Sequence, residues 1–336
     1  MHVLIVSKNR IPVYAYGGTE RVVWDLGHAL NCLGHRVTYL VKPRSRCDFA
    51  DTLSIDKQKA LLPQVVAAQR QSGADIVHFH SNPFEDVPAS EAFELPHLVT
   101  EHGNSEMGAW HSRNTVYLSK DHAARHASAQ FVYNGLNWDS YGKVDFSLPR
   151  KDFHFLGNVA WPVKNFQGAI DIARDASIKL NVMGGRRLQI RRGFRFTWES
   201  YIRFHGMVGG ARKFSMLNAS KGMIFPVRWY EPFGLAIVES LYFGCPVFAT
   251  PYGAIPELVT PDCGALSHSA SELVQALGRA DVYSAQACHA QAREKFNAQR
   301  MALGYLNKYE QVLGGQPLHL QTPTSQIHPR DLPWTD

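Results

Sequence analysis

The strongest constraint on the fold is an alternation of buried strands and amphipathic helices. Residues 2–6 read HVLIV, a continuous apolar run typical of a strand that is buried on both faces. After a glycine pair, apolar residues recur at the spacing of one helix face, with Thr19 as the predicted N-cap and Gly34 as the stop. Residues 35–41 read as the next strand. A strand–helix–strand unit of this kind implies a parallel sheet.

The alternation continues and then restarts in the second half. Later strands of the first half are predicted at 75–80, 97–102 and 129–134. Polar, proline-containing sequence at 141–151 indicates a linker, and a last helix is predicted at about 296–313. We therefore predict two successive parallel α/β halves. The predicted boundaries are 1–147 for the first domain, 148–295 for the second, and 296–336 for a helix expected to return to the first domain, followed by an extended tail.

Composition excludes several classes of protein. The hydrophobic fraction of 45% and the charged fraction of 19% are those of a globular chain. No apolar run reaches the roughly 18 residues of a membrane span, and the N-terminus lacks the pattern of a signal peptide. The five cysteines are scattered and never form CxxC, as in reduced thiols. We expect a cytoplasmic protein.

The net charge of +6 is confined to the second half of the chain. Residues 1–150 hold 15 basic and 15 acidic residues, so all of it falls in 151–336. Residues 186–228, the basic stretch, contain ten Lys and Arg residues and one acid, Glu199. Such a field attracts phosphate groups, whether on a small molecule, a membrane or a nucleic acid. A solvated surface is the alternative interpretation.

The most specific motif lies in residues 228–259, RWYEPFGLAIVESLYFGCPVFATPYGAIPELV. Glu231 and Glu239 are eight positions apart, which is about 12 Å if the segment is helical. Ionised carboxylates accept hydrogen bonds, so they suit the hydroxyls of a ribose or a hexose. The helix N-terminus between them favours an anion. The amides predicted to face that anion are those of Phe233, Gly234 and Leu235.

The motif resembles the donor-site signature of retaining GT-B glycosyltransferases, family GT4 (glycosyltransferase group 1), of the bacterial cell-surface glycan type. The resemblance extends to about residue 313. It implies two Rossmann-like domains facing each other across a cleft, with a nucleotide-sugar donor bound mainly by the second. It also implies that Glu231 meets sugar hydroxyls and Glu239 the ribose, with sugar transfer by front-face attack and no metal.

The resemblance assigns further residues to the donor. Lys164 matches a lysine on the donor diphosphate, and the accompanying arginine position holds Asn158. Arg228 or an arginine of the basic stretch is a candidate replacement for that missing cation. In FHGMVGG, Met207 and Val208 occupy the positions expected beside the nucleobase. An ordinary strand–turn is an equal alternative for that segment.

In the first half, Gly17 and Gly18 resemble the glycine loop of the same family, and a tight turn is the alternative. The absence of G-x-G-x-x-G weakens a nicotinamide-binding interpretation. His102 follows a predicted strand and resembles the histidine placed against the donor sugar. His78 and His80 are the competing candidates.

We expect a UDP-sugar donor, with a GDP-sugar next, and a hydroxyl of a glycan, glycolipid or small molecule as acceptor. Peripheral contact with an anionic membrane is an open alternative, and no nucleic-acid module signature is present. No metal is expected because no paired His/Cys spacing or HExxH occurs, and no cofactor is expected either. The alternative functions are a GT-B sugar-nucleotide epimerase and a non-catalytic nucleotide-sugar binding module.

Overall fold

The computed structural model describes residues 1–13, 17–190, 194–326 and 332–335. These residues divide into two compact units. Unit 1 holds the described residues of 1–13, 17–137 and 296–326, and unit 2 holds those of 138–295 and 332–335. Among the described residues, the chain passes from unit 1 to unit 2 between Asn137 and Trp138, upstream of the predicted boundary at 147, and it returns between Lys295 and Phe296.

The strands are short and mostly buried. In the described residues they are His2–Val6 (β1), Arg36–Val41 (β2), Asp51–Ser54 (β3), Ile76–Phe79 (β4), His97–Thr100 (β5), Thr115–Val116 (β6), Phe153–Leu156 (β7), Leu180–Met183 (β8), Leu188–Gln189 (β9), Arg195–Phe196 (β10), Ile202–Phe204 (β11), Met223–Phe225 (β12), Val247–Ala249 (β13) and Gly264–Leu266 (β14).

Helices alternate with these strands. In the same residues they are Gly18–Cys32 (α1), Leu61–Ser72 (α2), Val87–Glu91 (α3), Lys120–Ala124 (α4), Phe166–Asp175 (α5), Gly210–Asn218 (α6), Leu235–Tyr242 (α7), Ile255–Leu258 (α8), Ala270–Leu277 (α9), Ala285–Lys295 (α10) and Ala298–Leu313 (α11). Short 3₁₀ segments cover Trp138–Tyr141, Pro162–Lys164 and Ala280–Val282.

Unit 1 is built on a six-stranded parallel sheet in the order β3-β2-β1-β4-β5-β6. All five residues of β1 are buried, as its continuous apolar run predicts. The strand order reverses between β1 and β4, and the carboxyl ends of parallel strands at such a switch point are where open α/β sheets bind ligands. The loops after β1 and β4 are therefore the candidate site of this unit.

Unit 2 repeats this plan. Its parallel sheet runs β11-β8-β7-β12-β13-β14, with the switch point between β7 and β12. A separate antiparallel pair is formed by β9 and β10. Helix α5 begins after Asn165, whose side-chain oxygen accepts a hydrogen bond from the Gly168 N–H at 3.2 Å. This cap holds the chain that follows β7 close to the switch point.

The predicted fold class, two Rossmann-like parallel α/β domains, is confirmed. Two local predictions are wrong. Helix α1 is capped at Gly17, one residue before its start, so Thr19 lies in the first turn and is not the N-cap. Residues 129–134 form only an isolated bridge between Phe131 and Tyr117, since the chain there leaves the sheet after one pair.

The C-terminal segments of the chain belong to different units. Helix α11 packs against α1 and belongs to unit 1. The tail beyond it has no helix in its described residues, and it pairs Thr324 with Trp110 in unit 1 and Thr335 with Ser269 in unit 2. Across residues 1–13, 17–190, 194–326 and 332–335, none of the helices combines the length and apolar character needed to cross a bilayer.

Candidate active site

Lys164 and Glu231 meet at the switch point of unit 2. Lys164 follows β7 and Glu231 follows β12, and the lysine Nζ lies 2.5 Å from the glutamate Oε2. Both side chains are largely buried, at 13% and 10% exposure. Trp229 completes the group, because its indole N–H donates to the same Oε2 at 2.8 Å and its ring lies 4.6 Å below the ammonium. The three form a rigid polar cluster where a ligand is expected.

The turn after Glu231 depends on glycine. Gly234 has φ +106°, a left-handed conformation that costs other residues strain, and it immediately precedes α7. A Cβ there would lie 3.1 Å from the Ile237 Cδ1 atom. The Phe233 side chain is buried at 2% exposure, and Leu235 is half-buried. Helix α7 starts only at Leu235, so the spacing of 12 Å, which assumes a helix throughout, is wrong for Glu231 and Glu239.

Glu239 lies in the middle of α7 and is 7% exposed. Its Oε1 accepts a hydrogen bond of 2.5 Å from the Tyr141 hydroxyl and lies 2.5 Å from the Lys213 Nζ. Lys213 is 4% exposed, and Tyr141 is fully buried. The carboxylate is therefore held in a fixed orientation by a buried cation and a buried hydroxyl.

Asn158 lies in the loop after β7. Its side-chain oxygen accepts from the Ala160 N–H at 3.0 Å, which makes a local turn. The next residue, Val159, receives a 3.1 Å hydrogen bond on its carbonyl from the Arg195 guanidinium. That guanidinium also lies 4.6 Å from the Phe166 ring, and burial lowers its pKa. The Nε of Arg195 is buried and has no hydrogen-bond partner in the described part of the chain.

Arg228 is engaged differently. Its Nε donates to the Leu332 carbonyl at 2.9 Å, and the Leu332 N–H donates back to the Arg228 carbonyl at 2.9 Å. The chain tail thus holds Arg228 in place. Of the arginines considered for the missing cation, Arg195 is the one that bonds the loop of Asn158. Arg191 and Arg192 lie outside the described residues.

Met207 and Val208 follow β11 at the carboxyl edge of the same sheet. Met207 is 46% exposed and Val208 is half-buried. Gly206 has φ +73°, and its carbonyl accepts from the Gly184 N–H at 2.8 Å. The loop is therefore fixed against the end of β8 while the Met207 side chain stays accessible.

In unit 1, Gly17 and Gly18 lead into α1 after β1. A Cβ on Gly17 would lie 2.7 Å from the Glu20 Oε2 and 2.9 Å from the Val13 Cγ2, so the loop leaves no room for a side chain. Because β1 ends at Val6 and α1 begins at Gly18, the connection between them is longer than a tight turn.

The candidate histidines have separate environments. His78 is fully buried and bonded on both sides, by the Tyr309 hydroxyl and the Thr100 hydroxyl at 2.7 Å each. His102 follows β5, and its Nε2 lies 2.8 Å from the Nδ1 of His80. Burial lowers the pKa of His102 to about 4 and that of His80 well below its usual value, so both rings are neutral at pH 7. The Nε2 of His80 is buried without a partner in the described residues.

The sequence interpretation missed Trp229, Lys213, Tyr141, Arg195 and the pairing of His80. Trp229 lies two positions before Glu231, and this closeness in sequence could have indicated that it belongs to the same site. The buried lysine and arginine lie in the basic stretch, and charge alone does not distinguish an inward from an outward side chain. The described residues contain no group of three or more His, Cys, Asp or Glu arranged to hold a metal ion.

A family match coincides with this geometry. Residues 150–280 match the family described as Glycosyl transferases group 1. They include the Lys164–Glu231 cluster, Gly234 and Glu239. The match does not extend to unit 1, and no curated protein sequence matches the chain.

Solved structures share the fold over almost the whole chain. AviGT4, a glycosyltransferase involved in avilamycin A biosynthesis, is 19% identical with a TM-score of 0.74, covering 96% of this chain and 99% of its own. Sucrose-phosphate synthase from Thermosynechococcus elongatus is 16% identical with a TM-score of 0.72, covering 94% and 100%. HepE from Anabaena, in complex with UDP-glucose, is 14% identical with a TM-score of 0.65, covering 94% and 100%. At these identities the likeness establishes the GT-B type of fold.

Proposed function

We propose that the chain is a retaining glycosyltransferase that moves a hexose from a nucleotide-diphosphate sugar to a hydroxyl acceptor. The observation that carries this is the Lys164–Glu231–Trp229 cluster at the switch point of unit 2. It lies within the segment that matches Glycosyl transferases group 1. The anion-favouring start of α7 lies four residues after Glu231.

Each part of the donor is matched to the residues whose chemistry suits it. Lys164 and the first amides of α7 stabilise the diphosphate, while Glu231 accepts hydrogen bonds from sugar hydroxyls. Glu239, oriented by Lys213 and Tyr141, accepts from the ribose. The loop with Met207 and Val208 lies beside the base. UDP is the preferred nucleotide, supported by the HepE complex with UDP-glucose.

In the proposed reaction, the bond between the anomeric carbon and the diphosphate oxygen breaks as the acceptor hydroxyl attacks from the same face. The acceptor proton passes to the departing diphosphate, so configuration is retained and no enzyme base is needed. Catalysis then rests on stabilising the leaving-group charge and on positioning. A role for His102 on the sugar and independence of metal ions stay predictions.

Arg195 supplies the cation that Asn158 cannot. It reaches the loop of Asn158 through the Val159 carbonyl, and its half-buried side chain has a buried Nε–H without a partner among the described residues. An anion beside this desolvated charge supplies its missing counter-charge. Arg228 serves less well because the tail already holds its Nε.

The first experiment is a thermal-shift screen with UDP-, GDP- and ADP-sugars. A ligand at 100 times its Kd adds roughly 2.7 kcal/mol to the free energy of unfolding. Stabilisation by a UDP-sugar, lost in Glu231→Gln, supports the donor site. No shift with any of the three sugars contradicts it.

Arg195→Gln and Arg228→Gln then form a matched pair. Because a charge-assisted hydrogen bond contributes about 1.5–3 kcal/mol, Arg195→Gln should raise the Kd of UDP about tenfold or more. The Kd of uridine, which has no diphosphate, should not change. If Arg228→Gln has the larger effect on UDP, Arg195 is not the cation.

Turnover separates the remaining alternatives. Sugar transfer to hydroxyl acceptors, with the anomeric configuration read by NMR, supports the proposal. Conversion of the donor sugar without an acceptor identifies an epimerase. Donor binding without turnover across an acceptor panel identifies a binding module.

A further inference from the structure

A small hairpin in unit 2 stands apart from the main sheet. Strands β9 and β10 pair antiparallel, with Gln189 opposite Arg195 and Leu188 opposite Phe196. Side chains alternate between the two faces of a strand. Within residues 186–190 and 194–198, even-numbered residues therefore share one face, and odd-numbered residues share the other.

The odd-numbered face is fastened to unit 2. The Arg187 guanidinium donates to the carbonyls of Thr197, Glu199 and Ile202. Thr197 is 2% exposed, and Arg195 bonds the Val159 carbonyl. These contacts fix which face of the hairpin points outward.

The even-numbered face is apolar and exposed. Leu188 is 49% exposed, Ile190 73%, Phe194 80% and Trp198 82%, and the Phe196 ring packs against Trp198 at 4.3 Å. Of the thirteen large hydrophobic side chains exposed in the described residues, four lie within these eleven positions. A cluster of this kind on one fixed face marks an interaction surface.

The charge around this face is of one sign. Residues 186–198 contain five arginines and no acid, and two of the five, Arg187 and Arg195, belong to the inward face. Arg186 is exposed and even-numbered, like the apolar residues. Arg191 and Arg192 lie outside the described residues, and only their charge in the sequence is known. The partner must therefore combine negative charge with an apolar phase.

We propose that the outer face of this hairpin docks unit 2 on an anionic lipid surface. Trp198 and Phe194 suit the headgroup–acyl boundary, and arginines attract anionic headgroups. A single-stranded nucleic acid also combines charge with stacking surfaces. Leu188 and Ile190 favour lipid, because aliphatic side chains gain from hydrocarbon but offer no flat face to a base. The proposal goes beyond the donor site, and the variants that test it leave Arg195, the residue shared with that site, unchanged.

The test is co-sedimentation of the full chain with phosphatidylcholine vesicles, with and without phosphatidylglycerol. The chain should bind only the anionic vesicles. Ile190→Ser and Phe194→Ser should each lower the partition coefficient about tenfold, since each variant removes a large apolar side chain from the face that enters the bilayer. Val282→Ser is the matched control, because Val282 is also 73% exposed in unit 2. It should bind as the unchanged chain does.

Any of the following results overturns the proposal: no binding to anionic vesicles, equal binding by Ile190→Ser and Val282→Ser, or displacement of the protein from vesicles by single-stranded DNA at low concentration. A chain that is dimeric without lipid and becomes monomeric in Phe194→Ser also overturns it, by assigning the face to a second copy. The thermal shift with UDP-sugar is measured on the same samples. Failure of the donor site and failure of the lipid surface are then read separately.

Discussion

Lys213→Met should destabilise unit 2 more than its position in a basic stretch indicates. Lys213 and Glu239 form a buried pair, with side-chain exposures of 5% and 9% and an Nζ–Oε1 distance of 2.5 Å. Methionine keeps most of the aliphatic stem and removes the charge. Glu239 is then left buried without its cation.

The magnitude follows from this burial. Removing one partner of a buried ion pair costs about 3–5 kcal/mol, because the other charge stays desolvated. Tyr141 still donates to the Glu239 Oε1 in the variant, which favours the lower end of that range. We expect a loss of about 3 kcal/mol in the free energy of unfolding. Adding Glu239→Gln removes the stranded charge and should restore most of the loss.

The assay is equilibrium urea unfolding at pH 7, with hydrogen exchange of the α7 peptide to report on unit 2. Lys221→Met is the matched control, because Lys221 lies 3.8 Å from Asp281 with side-chain exposures of 40% and 90%. An exposed pair contributes less than about 1 kcal/mol. The reasoning is refuted if Lys213→Met and Lys221→Met lose the same stability, or if the double variant is no more stable than Lys213→Met.

Three further changes test other parts of the structure. Burial lowers the pKa of His111 to about 3. Below pH 6.5 the unfolded chain therefore binds a proton at this residue that the folded chain does not bind, and the free energy of unfolding decreases as the pH is lowered. When the pH is lowered from 7.5 to 5, the free energy of unfolding in urea should therefore fall by about 2 kcal/mol less for His111→Phe than for the unchanged chain. Ending the chain at residue 326 removes the Leu332 bonds and should speed hydrogen exchange around Arg228. Gly234→Ala should cost about 1–2 kcal/mol and weaken donor binding, whereas Gly210→Ala, with φ +55° and open space, should strain the backbone without affecting the donor.

The sequence predicted the sheets well because both are parallel and buried on both faces. Such strands read as continuous apolar runs, as residues 2–6 and 76–79 do. The hairpin of β9 and β10 was missed because each strand has only two residues, too few to establish an alternating pattern. Residues 129–134 had the composition of a strand, but strand formation also requires a partner along its length, and they have one at a single position in the described structure.

The site was predictable where its residues are neighbours in sequence and unpredictable where they are not. Glu231, Gly234 and the start of α7 follow from one continuous motif. The pairs of Glu239 with Lys213 and Tyr141 join positions 26 and 98 residues apart, and no local pattern encodes them. His80 and His102 meet because β4 and β5 are adjacent in the sheet, a fact that requires the strand order.

The basic stretch shows why net charge alone is a poor guide to a ligand. Lys213, Arg187 and Arg195 turn inward and bond protein groups, while Arg186, Arg203 and Arg212 are exposed. Salt screens exposed charges strongly and buried ones weakly. Raising the ionic strength should therefore release the chain from anionic vesicles while changing the Kd of UDP little, because Lys164 is only 13% exposed. Equal salt dependence of the two equilibria would contradict this division of the arginines and lysines into inward and outward groups.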